Sequence, residues 1–191
     1  MEHKKLPSSA EVEQELKREQ YKYRYKKTLK STVFALITAA AIAVLVATLW
    51  MPVLQIFGTS MTPTLQEGQI VVSVKAEDMK QGDIVAFYYG NKVLIKRYIA
   101  GPGSWVEIRE DGTILVDGYI IDEPYLTEKA YGISDLEYPY QVPEGTHFLV
   151  GDQRTTSVDS RHSTVGCIAT DQIVGKIVFR VWPFEVIGPV T

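Results

Sequence analysis

The chain has 191 residues, 46% of them hydrophobic and 23% charged, with a formal net charge of −3. That balance excludes a protein of many membrane spans and offers no electrostatic case for a nucleic-acid partner. One cysteine, Cys167, rules out an intrachain disulfide and a cysteine metal cluster, and His3, His147 and His162 form no ligand motif, so neither metal nor cofactor is expected.

Residues 1–30 read as a polar tail of mixed charge, with helical propensity from Glu11 to Gln20. The tail ends in a basic stretch in which Lys22, Arg24, Lys26, Lys27 and Lys30 are interleaved with Tyr21, Tyr23 and Tyr25. Tyrosines among lysines suit stacking on nucleic acid or anchoring in a lipid interface, and the second is the simpler expectation here. From Ser31 to Met51 there is no charged residue. As a helix, about 21 residues cover roughly 30 Å, the thickness of a bilayer's hydrocarbon core. Residues 31–51 are therefore expected to be a single transmembrane helix in contact with membrane lipid. Trp50 suits the far interface, and no lysine or arginine follows until Lys75. The positive-inside rule then puts residues 1–30 in the cytoplasm and residues 52–191 outside. A cleaved signal peptide and a buried soluble helix are the rival readings. The run is longer than a signal core, begins about 30 residues in, and is followed by no small-x-small site.

After Pro52 the pattern turns extended. Strands are expected at 53–57, 70–74, 83–89 and 92–99, punctuated by Glu67-Gly68, Gln81-Gly82, Gly90-Asn91 and Gly101-Pro102-Gly103. Residues 105–109 and 113–116 read as a hairpin around Asp111-Gly112. Residues 122–145, rich in Pro, Gly, Tyr and acidic residues, read as loop or as part of a small lobe inserted over 104–145. Later strands are expected at 146–150, 173–174 and 176–181. The fold class is mostly β: an antiparallel β domain over residues 52–191, carried on one N-terminal helix.

Ser60, in Gly58-Thr59-Ser60-Met61-Thr62-Pro63-Thr64-Leu65, is a candidate nucleophile that needs a base. The histidines are poorly placed for that role: His147 enters a strand, His162 sits in a polar loop, and His3 lies across the membrane. Lys96 is the other option. Alternation puts Leu94, Lys96 and Tyr98 on one face of a strand and Val93, Ile95, Arg97 and Ile99 on the other. A lysine there is either a snorkelling edge residue or a buried amine whose pKa burial lowers. Gly151 to Arg161 packs Asp152, Arg154, Asp159 and Arg161 among hydroxyls. It is either a solvated turn or a loop that orients an amine.

Together these segments resemble the type I signal peptidases of bacteria, membrane-anchored serine–lysine proteases of the S26 type, with a Gram-positive-like pattern. Residues 58–65 resemble the nucleophile box, Gly82-Asp83-Ile84-Val85 the strand box, Lys96 to Gly103 the general-base box, and Gly151 to Arg161 the last box. The boxes occur in the family's order. The resemblance implies a serine endopeptidase that removes signal peptides from exported preproteins at Ala-x-Ala sites, near the export translocon. It implies Ser60 as nucleophile, Lys96 as general base, Ser157 as the hydroxyl that holds the Lys96 amine, and Asp159 with Arg161 as a supporting pair. The backbone N–H of Ser60 would donate to the oxyanion. Where some members carry a hydroxyl donor, this chain has Gly58. Gln153 and Ser104 stand where asparagine and aspartate are usual. Leu54, Ile56, Met61, Leu65 and Ile95 would line shallow apolar subsites for an extended substrate, although sequence alone fits them to a core equally well. The alternative is a non-catalytic membrane-anchored β domain in an export complex. A self-cleaving repressor shares the serine–lysine pair but needs a DNA-binding region where this chain has its apolar run.

Overall fold

Neither proline nor glycine, the two strongest helix breakers, interrupts the sequence from Ser9 to Trp50, and these 42 residues form one helix, α1. The computed structural model describes residues 9–75 and 78–190. The helix takes in both the segment of expected helical propensity, Glu11 to Gln20, and the uncharged run from Ser31 as far as Trp50, with no break between them. Its charged part is reinforced by the pairs Lys17–Glu13 (2.8 Å) and Lys22–Glu19 (2.7 Å), each supporting the helix by a few tenths of a kcal/mol. Residues 9–45 are exposed throughout, and the helix is long and apolar enough to cross a membrane. An apolar surface open all round is the mark of a lipid-embedded helix.

The chain divides between Ala47 and Thr48 into two units. The second is built of short strands: β1 (Val53–Gln55), β2 (Ile70–Val74), β3 (Ile84–Tyr89), β4 (Lys92–Ala100), β5 (Trp105–Ile108), β6 (Ile114–Val116), β7 (Tyr119–Ile120), β8 (Tyr140–Gln141), β9 (Thr146–Val150), β10 (Ile168–Ala169), β11 (Ile173–Trp182) and β12 (Gly188–Pro189). Among the described residues they form two antiparallel sheets. The larger is ordered β1-β2-β11-β3-β4-β9-β10, with β12 on β11, and the smaller β7-β6-β5-β8.

Strand β3 explains how the core is layered. Ile84 and Ala86 join Ile56, Met61, Leu65, Val71 and Ile177 on one face, while Val85 and Phe87 join Tyr98, Leu149 and Ile168 on the other. A strand buried on both faces reads as a continuous apolar run, as Ile84 to Tyr89 does. Strand β4 enters this core from solvent. Lys92 and Val93 are exposed, Leu94 and Ile95 half-buried, and Lys96 to Ala100 buried.

The expected strand 53–57 stops at Gln55. Ile56 leaves the β1–β2 ladder register to exchange backbone hydrogen bonds with Gln69 and Gly68, which turns the chain toward Ser60. The strands expected at 173–174 and 176–181 are one strand, β11. Its register slips between Ile173 and Gly175, and at Gly175 a side chain would meet the Val74 carbonyl. The glycine marks a bulge and a close backbone approach, not an end.

Candidate active site

Ser60 sits half-buried on a turn after β1, where Thr62 N–H donates to the Thr59 carbonyl (3.0 Å) and Leu65 N–H to that of Met61 (2.9 Å). The turn is pinned from inside by Met61 and Leu65, 2% and 0% exposed. Gly58 has φ +79°, a left-handed conformation that strains any residue with a Cβ. A hydroxyl-bearing residue there would have to adopt that strained backbone.

Lys96 is 4% exposed, which decides between the two readings of its strand: the amine does not snorkel to solvent. Its Nζ donates to the Ser157 Oγ at 3.0 Å. Burial strips water from the ammonium and lowers its pKa from 10.5 to about 8. The Asp159 carboxylate pulls it back up, the Arg161 guanidinium pushes it down, and Asp152 pulls it up again.

The loop after β9 joins the serine turn to the lysine strand. Gln153 N–H donates to the Ser60 carbonyl at 3.0 Å. At Gly151, a Cβ would lie 2.6 Å from the Ser60 carbonyl oxygen and also collide with the Ser157 side chain. Ser60 and Ser157 therefore close on the same point, and only glycine leaves room for both. The Asp159 carboxylate accepts the Gly151 N–H (2.9 Å) and takes Arg161 through Nε (2.8 Å) and Nη2 (2.9 Å). Arg161 Nη2 also donates to the Ser157 carbonyl at 3.3 Å.

A second buried pair had no sequence assignment. Arg97 grips Asp152 with Nε (2.8 Å) and Nη2 (2.7 Å), and the Thr64 hydroxyl donates to the same carboxylate at 2.5 Å. Asp152 thus ties the serine turn to the strand of Lys96. Alternation places Arg97 on the face opposite Lys96, and a charge inside so apolar a strand is the signal that it needed a buried partner.

The residues expected to line substrate subsites share one cluster: Ile56, Met61 and Leu65 are buried, and Leu54 and Ile95 are half-buried against them. His3 lies outside the described residues, and the other two histidines are engaged elsewhere. His147 Nε2 lies 3.0 Å from the Thr170 hydroxyl, and His162 Nδ1 accepts the Thr164 N–H at 3.1 Å. Chemically, the site offers a hydroxyl on a constrained turn and an amine that is partly neutral near physiological pH, held by a second hydroxyl.

A family model described as signal peptidase, peptidase S26, matches residues 29–182. Signal peptidase IB of Staphylococcus aureus (strain COL) is 36% identical over 148 residues, covering 67% of this chain and 76% of that protein. Signal peptidase I of Bacillus caldolyticus is 33% identical over 144 residues, covering 67% of this chain and 78% of the relative. Among solved structures, a signal peptidase I from Enterococcus faecalis V583 matches with 28% identity and a TM-score of 0.45, over 52% of this chain and 97% of that one.

Proposed function

The chain belongs to the signal peptidase family of S26 peptidases, and from that premise we propose that it is a serine endopeptidase removing signal peptides from exported preproteins. Ser60 is its nucleophile and Lys96 its general base. The observation that carries the assignment is the buried Lys96 amine, bonded to Ser157 and lowered to about pKa 8.

In this mechanism neutral Lys96 takes the Ser60 proton as Oγ attacks the scissile carbonyl. The Ser60 backbone N–H donates to the developing oxyanion. As the tetrahedral adduct collapses, the Lys96 ammonium gives its proton to the leaving amine, which departs as the new N-terminus of the mature protein. Water then loses a proton to Lys96 and attacks the acyl carbonyl. Ser60 recovers that proton, and the signal peptide leaves as a carboxylate. Ser157 orients the amine, and the Asp159–Arg161 pair holds the loop that carries it.

Substrate binding by strand addition is supported by two open backbone edges. Strand β1 is the edge of its sheet, and β9 pairs with β4 only from Arg97 onward, leaving Leu94 to Lys96 unpaired on that side among the described residues. Leu54 and Ile95, half-buried, offer apolar surface beside these edges suited to the small residues of an Ala-x-Ala site, while Ile56, Met61 and Leu65 pack beneath them as core. The basic flank of α1 supports a cytoplasmic N-terminus and an outward-facing domain, close to the translocon.

The test is cleavage of an Ala-x-Ala preprotein by wild type, Ser60→Ala and Lys96→Ala, with folding followed by circular dichroism. Both variants are expected to stay folded and lose activity by a factor of about 10³ or more. A folded Lys96→Ala of near wild-type rate eliminates the lysine role, and an inactive wild type favours the non-catalytic β domain.

A further inference from the structure

One buried carboxylate has no part in the mechanism above. Glu123, in the irregular segment between β7 and β8, is 5% exposed. Its oxygens accept from both terminal nitrogens of Arg154, Nη1 at 3.2 Å and Nη2 more closely, and from the Tyr125 hydroxyl at 3.0 Å. Arg154 turns its third donor, Nε, to the Gly151 carbonyl at 3.1 Å. The same segment touches the loop at other points. Gly132 packs so closely on the Arg154 carbonyl and the Arg161 guanidinium that a Cβ would collide with both. Arg161 Nη1 donates to the Tyr131 carbonyl (2.9 Å), and the Ser134 hydroxyl to the Arg161 carbonyl (2.9 Å). The Tyr125 ring lies 3.6 Å from the Arg97 guanidinium carbon, next along the strand from Lys96.

We infer that Glu123 is a positioning residue for the reaction: by fixing Arg154 it fixes Gly151, and through Gly151 the seating of Ser157 against Lys96 and Ser60. This rests on the reading of Ser157 as the hydroxyl that holds the Lys96 amine. A planar guanidinium gripped by both carboxylate oxygens has no rotational freedom left, so its Nε aims at one place. Such a buried pair adds little net stability over an apolar packing of similar volume, which leaves geometry as its main contribution. Without the carboxylate charge, Arg154 is a buried cation seeking another partner. The acids of its own loop are Asp152 and Asp159, both already paired with other arginines. Relaxation toward either displaces Gly151.

The test is a double-mutant cycle on the full-length protein, with steady-state preprotein cleavage as readout. Glu123→Gln is expected to lower kcat about tenfold or more with KM changed less than about twofold, since the loop acts on the chemistry and not on substrate grip. In a Ser157→Ala background the same change should cost no further kcat, because both act through one contact. A Glu123→Gln protein with wild-type kcat, or one altered only in KM, overturns the proposal. A slowed Ser157→Ala on which Glu123→Gln still multiplies its full loss overturns it alone. A Ser157→Ala of wild-type kcat overturns the reading beneath it as well. Should Glu123→Gln not fold, Tyr125→Phe removes only the hydroxyl bond to Glu123 and keeps the ring on Arg97. A kcat loss of about twofold or more, absent in the Ser157→Ala background, then supports the proposal, and an additive or null effect overturns it.

Discussion

Lys96 can serve as the proposed base only when its amine is neutral, and its surroundings fix when that is. Burial disfavours the charged form, so the folded-state pKa lies below the ordinary value, at about 8. Below that pH the amine holds its proton and cannot accept another from Ser60; above it the amine is free. The expected kcat/KM for preprotein cleavage therefore rises with pH through about 8 and levels off above, and a flat profile between pH 6 and 9 would contradict the lysine role. The Lys96 reading was half-legible in the sequence. Alternation along β4 puts the residue on a face with Leu94 and Tyr98, but no pattern within one strand says what covers that face. The covering residue is Ser157, 61 positions away. Glu123 was not legible at all: it is one acid in an acidic stretch, and its partner Arg154 lies 31 residues on.

The element that joins the site is the loop from Gly151 to Arg161, hung between β9 and β10. Its glycine faces two neighbours at once, the Ser60 carbonyl at 2.6 Å from a would-be Cβ and the Ser157 side chain. Gly151→Ala should therefore force the serine turn and the Ser157 hydroxyl apart. The expected outcome is a kcat loss of about tenfold or more in a protein that still unfolds cooperatively, read by preprotein cleavage beside a denaturant titration. Strands β2, β3, β4 and β9, each of five residues or more, were readable from their β-branched and aromatic runs. The two-residue strands β7, β8, β10 and β12 were not, because two residues carry no periodicity and owe their pairing to neighbours. Strand β11 was misread as two at Gly175, since a glycine that permits a bulge looks in sequence like one that ends a strand.

At the scale of the whole molecule, the chain is a membrane-anchored member of the S26 signal peptidases whose second unit is an antiparallel β fold. Its sidedness is testable with cysteine labels. In a Cys167→Ser background, a membrane-impermeant maleimide should label Asn91→Cys, on the exposed β3–β4 turn, in intact cells, and Glu13→Cys only after permeabilisation. The reverse pattern would invert the topology. Helix α1 carries a mechanical consequence of its own. Twenty-two of its residues, Ser9 to Lys30, precede the uncharged run without a proline or glycine at which to bend. They make an arm of about 33 Å continuous with the span. A tilt of about 20° in the bilayer would swing the tip of that arm sideways by roughly 11 Å. The helix is a lever: small reorientations within the lipid become large displacements of its charged end.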